Sequence, residues 1–206
     1  MPAILKWIAA SLVIAVLCSG AAKGQGFASV PPEPGANPSG VQIPPYRISV
    51  SPDGRTLTIS GGIRFGLERD VAAALAAAPG VRTVVLASPG GRLGPADDVA
   101  QMVRRRGLDT YVASQCSSIC TEIFAAGRHR TLGRGARLGF HGASLGAGAP
   151  SQAVSAVNRQ MMDRYVAAGV DRGFIERAAS VSPRGIWFPT VSQLRAANVI
   201  TAVAGR

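Results

Sequence analysis

Two cysteines and two serines form a short motif near the middle of the chain. Residues 115–122 read QCSSICTE, after an apolar strand-like run and before a helix-like one. Paired cysteines form disulfides or bind metals, and a serine in a rigid turn can act as a nucleophile once a base takes its proton. The motif therefore has three readings: a disulfide, half of a metal site, or a turn that presents a nucleophile.

A nucleophilic serine needs a base, which in such sites is most often a histidine. The chain has two histidines. His129 lies between two arginines in a polar stretch, and we expect it on the surface. His141 follows the apolar residues 138–140 at a predicted strand end, which is a better position for a base. The same position also suits a half-buried structural histidine.

Ser118 falls where a strand gives way to a helix, and Gly90–Gly91 follows an earlier strand. Free backbone N–H groups at such points can stabilise a developing oxyanion. Both features also have ordinary structural roles, because serine is a common helix N-cap and glycines are common in turns.

The elements around these residues alternate between strand and helix patterns. Two strands, Tyr46–Val50 and 56–59, are joined by the turn Ser-Pro-Asp-Gly and predict a hairpin. The order that follows predicts right-handed βαβ units, and so an α/β fold with a mostly parallel sheet. Chemistry in such sheets concentrates at the carboxyl ends of strands. The further predicted strands are 82–87, 110–113 and 137–140, and the predicted helices are 65–78, 95–106, 123–126, 151–168 and 171–179.

Taken together, these segments resemble the proteolytic subunit of the Clp protease and, more broadly, the ClpP/crotonase fold of stacked βαβ units, which includes signal-peptide peptidases. The resemblance covers residues 82–141 and resumes weakly at Met161–Met162 and at 192–200. The motifs that carry it are SPGG at 88–91, QCSSI at 115–119, AG at 126–127 and LGFH at 138–141.

The resemblance implies a serine hydrolase, most simply a peptidase that acts on peptides or proteins without a cofactor. Ser118 would be the nucleophile, His141 the base, and the backbone N–H groups of Gly91 and Ile119 the oxyanion hole. Because related proteins form closed rings, the resemblance also implies a homo-oligomer. The helices at 151–168 and 171–179 are candidate contacts, although helices that pack on a core show the same pattern.

Two departures from the family pattern leave other functions open. The family's proteases carry an aspartate before the C-terminal strand, but residues 182–188 here read SPRGIWF. Asp163 or Asp171 would have to orient His141, or no charged group does. The lysine base of the signal-peptide peptidases is also missing, since Lys6 and Lys23 are the only lysines and arginine does not deprotonate.

The alternative function is therefore a catalytically inactive binding or assembly module of the cell envelope. A third reading is an acyl-thioester enzyme of the crotonase kind, which would use the same oxyanion pair without a serine nucleophile. Export away from coenzyme A argues against that reading.

The spacing of Cys116 and Cys120 places their Cα atoms about 6 Å apart on one helical turn, within disulfide range. A metal site would need two further ligands, and no second motif supplies them. We expect a disulfide that clamps the Ser118 turn, with a reduced buried pair as the alternative. We interpret Glu122 as an acid that favours the helix dipole rather than as a catalytic group.

The N-terminal residues 1–22 follow the export pattern of a basic start, an apolar core and small residues. The apolar core is shorter than the roughly 20 residues that span a bilayer, so we expect a cleaved signal peptide and a periplasmic or secreted protein. A retained membrane anchor is the alternative, and the residues before Cys18 do not suit lipoprotein processing. Residues 23–45 read as a Pro/Gly-rich linker and 46–206 as one domain.

The formal net charge is +11, and the predicted domain uses only arginine as its strong base. This charge favours peripheral association with anionic membrane surfaces. Nucleic-acid binding is not predicted, because the arginine-rich stretches 104–106 and 128–130 have no interleaved aromatic residues. Both stretches are interpreted as solvated faces.

Overall fold

The computed structural model describes residues 42–146 and 148–205. The predicted export segment and nearly all of the predicted linker lie outside the described residues. Among the residues that are described, no helix has both the length and the apolar character needed to cross a membrane.

Seven strands and six helices make up the described part of the chain. The strands are β1 Tyr46–Val50, β2 Thr56–Gly61, β3 Thr83–Ser88, β4 Asp109–Ser117, β5 Arg130–Leu132, β6 Arg137–Gly139 and β7 Ala202–Val203. The helices are α1 Leu67–Ala77, α2 Leu93–Arg105, α3 Cys120–Ala125, α4 Ser151–Ala167, α5 Arg172–Ser180 and α6 Val191–Ala196.

The sheet is mostly parallel, as predicted. Its order is β1-β2-β3-β4-β5-β7, with β6 pairing on the far half of β4. Only the β1–β2 hairpin is antiparallel among the strand pairs of the described residues. Side chains alternate between the faces of a strand, and in β3 one face carries Val84 and Leu86, which are fully buried, while the other face is half-buried. Each such side chain contributes about 1.5–3 kcal/mol to stability.

The length of β4 brings the candidate site residues to one edge of the sheet. Its first half pairs with β5, and its last three residues pair with β6. At this end Cys116 lies between Ser88 of β3 and Leu138 of β6. The loops that follow β3, β4 and β6 therefore leave the sheet side by side.

The arginine-rich stretches differ from each other in burial. Residues 104–106 are exposed, as predicted. Arg130 is only 6% exposed, so the prediction of a solvated face at 128–130 is wrong for this residue. Its guanidinium donates to the carbonyl oxygens of Gly127, Asn198 and Val199 at 3.3, 2.7 and 3.0 Å. Buried Arg130 thus anchors β5 to the segment before β7.

Candidate active site

Ser118 occupies a strained turn between β4 and α3. Its φ is 54°, in the left-handed region, which costs a residue other than glycine of order 1–3 kcal/mol. Its backbone N–H donates to the carbonyl oxygen of Gly139 at 2.8 Å, and its own carbonyl accepts from the backbone N–H of Thr121 at 3.0 Å. These contacts hold a partly exposed hydroxyl at the edge of the sheet.

A disulfide closes this turn, which confirms the predicted pairing. Cys116 and Cys120 are bonded, with their Cα atoms 5.4 Å apart, and both are fully buried. The bond joins the end of β4 to the first residue of α3. It therefore restrains the three residues between the cysteines, Ser118 among them, and leaves neither sulfur free for metal binding or nucleophilic attack.

Removing this disulfide should destabilise the fold. We expect the Cys116→Ala/Cys120→Ala double variant to lose about 2 kcal/mol of unfolding free energy, because a short closed loop restricts the unfolded chain modestly. Urea denaturation of both proteins in a Cys18→Ala background measures the difference. Equal unfolding free energies would show that the bond does not stabilise the native state.

The Gly90–Gly91 loop lies directly against the Ser118 turn. The backbone N–H of Ile63 donates to the carbonyl of Gly90, and the N–H of Arg92 donates to the carbonyl of Ile63, both at 2.8 Å. In this parallel pairing the N–H of Gly91 points away from Ile63. An added Cβ at Gly90 would lie 2.7 Å from the Cβ of Ser118, so the two loops are in close contact.

The two expected oxyanion donors are available for hydrogen bonding. Within 42–146 and 148–205, the backbone N–H groups of Gly91 and Ile119 have no hydrogen-bond acceptor. Backbone donors left open beside a serine hydroxyl are the arrangement that stabilises a tetrahedral oxyanion.

The geometry of His141 fixes its tautomer. Its Nδ1 lies 2.7 Å from the carbonyl oxygen of Gly142, which can only accept a hydrogen bond. In the neutral ring Nδ1 therefore carries the proton, and Nε2 has the free lone pair. The N–H of the same peptide, that of Ala143, donates to the side-chain oxygen of Asn158 at 2.8 Å, and the N–H of Gly142 donates to the carbonyl of Val181 at 2.9 Å, so the segment is held on both sides.

Ser118 and His141 line the same pocket. Asn158 and Thr121 add polar groups to it, and α4 and α5 supply most of its apolar wall. No hydrogen bond joins the Ser118 hydroxyl to His141 in the described structure. The apolar side chains that line the pocket are Phe140, Met161, Met162, Ile175, Ala178 and Ala179.

The two aspartates considered as orienters of His141 have other partners. Asp163 is 72% exposed at its side chain and lies 4.0 Å from Arg172. A carboxylate oxygen of Asp171 accepts from the N–H of Phe174 at 2.8 Å and caps α5. In the described structure neither Asp163 nor Asp171 contacts His141, so neither aspartate orients it.

The segment expected to carry the family's aspartate does reach the histidine strand. Trp187 and Phe140 exchange two backbone hydrogen bonds, of 2.8 and 2.9 Å. The segment brings aromatic and aliphatic side chains to this position and no carboxylate. The Gly142 carbonyl is therefore the group that orients His141.

Glu122 is the main feature that the sequence interpretation did not foresee. It lies in the first turn of α3, as expected, but it is only 2% exposed. Burial raises the pKa of its carboxyl group to about 7, although Arg164 opposes the shift. An acid within the mostly apolar stretch ICTEIFAA was the available signal. Among residues 42–146 and 148–205, no group of three or more His, Cys, Asp or Glu side chains could hold a metal ion.

Comparison with known proteins identifies the fold. No family model and no curated protein sequence matches this chain. Among solved structures, ClpP1 from Listeria monocytogenes aligns with a TM-score of 0.64 at 16% identity, over 75% of this chain and 93% of that chain. A point mutant of the same ClpP1 aligns over the same shares at 16% identity with a TM-score of 0.57. Together with the mostly parallel sheet and the loops at its edge, this similarity shows that the chain has a ClpP-like fold.

Proposed function

We propose that this chain is a ClpP-like serine hydrolase that cleaves peptides, with Ser118 as nucleophile and His141 as base. One observation carries the proposal. The strained Ser118 turn lines the same pocket as His141, beside backbone N–H groups that have no acceptor among the described residues. A left-handed serine between two rigid elements is costly to build, and such strain clusters at functional sites.

The first chemical step follows from this arrangement. The Ser118 oxygen bonds to the substrate carbonyl carbon while Nε2 of His141 takes the hydroxyl proton. The carbonyl π-electrons move onto the oxygen, whose negative charge the N–H groups of Gly91 and Ile119 stabilise. The apolar pocket walls would bind an apolar substrate side chain and exclude water.

The second step releases the products. The tetrahedral intermediate collapses, the C–N bond breaks, and the imidazolium of His141 gives its proton to the leaving amine. Water, deprotonated by the same Nε2, then attacks the acyl-serine, and the proton returns to the Ser118 oxygen as the ester bond breaks. Every proton is carried by His141.

The use of a backbone carbonyl rather than an aspartate to orient His141 affects the expected rate of hydrolysis. The Gly142 oxygen fixes the productive tautomer, as an aspartate would, but it carries no full negative charge to stabilise the imidazolium. We therefore expect slow turnover. Hydrogen bonds between a nucleophile and its base are often long in unliganded sites and tighten with substrate, which fits the missing Ser118–His141 bond.

The compartment and assembly are also part of the proposal. The basic, apolar and small segments of residues 1–22 favour export, and a buried disulfide fits an oxidising compartment such as the periplasm. Only Tyr165 of the 17 residues of α4 is fully buried, so this helix has a long surface for contact with a second copy of the chain.

A pair of serine variants tests the proposed nucleophile. The full chain should hydrolyse members of a panel of peptide and ester substrates with apolar side chains, and Ser118→Ala should not. The matched control is Ser117→Ala, since Ser117 is buried, does not line the pocket, and its hydroxyl accepts a hydrogen bond from Gln115 at 2.9 Å. Equal hydrolysis by wild type and Ser118→Ala would remove Ser118 from the mechanism.

An inactive binding module is the second candidate. It is favoured by the absence, within the described residues, of both a carboxylate contact to His141 and a Ser118–His141 hydrogen bond. Such a module would bind peptide in the apolar pocket without cleaving it. Peptide affinity that Ser118→Ala leaves intact, together with no turnover by wild type, would favour this candidate.

A further inference from the structure

Glu122 is a buried acid whose hydrogen-bonding capacity is unused. Neither of its carboxylate oxygens accepts a hydrogen bond in the structure, although both are shielded from solvent. Its nearest cation is Arg164, whose Nε lies 3.5 Å from one oxygen. A buried carboxylate without hydrogen bonds is costly when ionised, so this position favours the protonated form.

Arg164 contacts two acids, Glu122 and Asp97, and Asp97 is its main partner. Its Nε and one terminal nitrogen each lie 3.1 Å from an oxygen of Asp97 on α2, in a bidentate pair. Its other terminal nitrogen is buried without an acceptor. One guanidinium thus faces two carboxylates, and Asp97 has the better geometry. Arg104 of α2 also acts weakly on Glu122 by charge.

The residues beside this cluster connect α4 to the Ser118 turn. The Tyr165 and Thr121 hydroxyl oxygens are 2.7 Å apart, and the Thr121 hydroxyl donates to the carbonyl of Ser118 at 2.7 Å. Because that carbonyl can only accept, the Tyr165 hydroxyl must donate to Thr121. The neighbouring pairs Thr121–Glu122 of α3 and Arg164–Tyr165 of α4 therefore meet in one seam, which we call the α3–α4 seam.

We propose that Glu122 is a positioning residue for the Ser118 turn, and that loss of its proton loosens the α3–α4 seam. As a role in catalysis this rests on the proposed function of Ser118. The direction follows from linkage: the closed seam holds the proton more tightly than an open seam in which the carboxyl group meets water. Rising pH therefore favours the open form.

The charged and titratable groups that face Glu122 determine the pH at which it loses its proton. Desolvation raises the pKa of Glu122, Asp97 raises it further by charge repulsion, and Arg164 and Arg104 lower it. Tyr165 of α4, fully buried beside it, stays neutral because burial and Glu122 raise its own pKa. Removal of the Asp97 charge should make Arg164 a better partner for ionised Glu122, lower the pKa of Glu122 in the closed seam, and so weaken the opening of the seam at high pH.

Amide hydrogen exchange of residues 117–122 in the full chain tests the proposal without requiring activity. At each pH the amide exchange rate of wild type is divided by that of Glu122→Gln. This ratio cancels the intrinsic pH dependence of amide exchange, which is the same in both proteins. We expect this ratio to rise about tenfold between pH 6 and 8, because the carboxyl group ionises in an open seam well before it does in the closed one. Asp97→Asn should reduce this rise.

The control is Glu176→Gln, at an exposed acid on α5, for which the ratio to wild type should not change with pH. A flat ratio for Glu122→Gln would overturn the proposal. The result does not depend on hydrolysis: a wild type that cleaves nothing but shows the pH-dependent ratio would contradict the hydrolase and support the role of Glu122 in the seam. If the chain does hydrolyse substrate, the wild-type to Glu122→Gln activity ratio should change over the same pH range.

Discussion

Replacement of His141 by alanine should lower turnover by about 10⁴-fold, and the further change Ser118→Ala should add almost nothing. The two side chains act as one unit, since the hydroxyl is a poor nucleophile without Nε2 and the imidazole has no proton to move without the hydroxyl. Each single variant should therefore retain only what the oxyanion donors Gly91 and Ile119 supply. Single-turnover hydrolysis of an activated ester by wild type, both single variants and the double variant measures this.

His129 offers the matched control for that experiment. It is exposed, and its carbonyl accepts from the N–H of Thr110 at the start of β4, the end opposite to the Ser118 turn, so His129→Ala should keep wild-type turnover. If the fold-losses in turnover of Ser118→Ala and His141→Ala multiply in the double variant, Ser118 and His141 work independently. That outcome would contradict the proposed proton transfer between them.

Replacement of Gly90 by alanine should damage both stability and activity. The added Cβ would lie 2.7 Å from the Cβ of Ser118 and 2.8 Å from the carbonyl oxygen of Ser117, on a backbone with φ of 102°. The contact atoms belong to the disulfide-restrained turn and cannot rotate away. We expect roughly 3 kcal/mol less unfolding free energy. We also expect about 100-fold lower turnover, because a small displacement of the nucleophile costs that much.

Gly94→Ala is the control in the same region. An added Cβ at Gly94 would meet no atom within 4 Å, and the residue lies in the first turn of α2. Alanine there should leave turnover unchanged and stabilise the helix by up to about 1 kcal/mol. Urea denaturation and ester hydrolysis of both variants provide the comparison. A Gly90→Ala protein as stable and active as Gly94→Ala would mean that the two loops do not constrain each other.

Local patterns were enough to predict the elements that carry the candidate site. The apolar β3 strand, the Ser-Pro-Gly-Gly break after it and the disulfide spacing of Cys116 and Cys120 are all short-range features, and the structure contains each of them. The order of strands and helices then fixes a parallel sheet, and so the edge at which the loops meet. The export of the chain and the roles of Ser118 and His141 remain predictions.

Features that depend on distant residues were not predictable in the same way. Arg130 is buried because carbonyl oxygens about 70 residues away accept its protons. The strand β5 has three residues and is held by β4 and β7 rather than by its own pattern. Glu122 is buried because α2 and α4 cover α3, which no periodicity within a six-residue helix reveals.

The orienting group of His141 was missed for a different reason. The sequence search considered carboxylates, because those are the residues that side-chain patterns can identify. A backbone carbonyl is present at every position, and only the geometry singles out Gly142, where an added Cβ would lie 2.5 Å from the carbonyl oxygen of Ala179. The close approach of this glycine to the end of α5 sets the peptide that holds His141.

The most direct test of the proposed nucleophile is covalent labelling of the full chain with a fluorophosphonate probe. The serine oxygen displaces fluoride from phosphorus, so the adduct marks the activated hydroxyl. We expect mass spectrometry to place one adduct on Ser118, and none to form in His141→Ala. No adduct under prolonged exposure, or an adduct on Ser117 or another residue with Ser118 unmodified, would contradict the account.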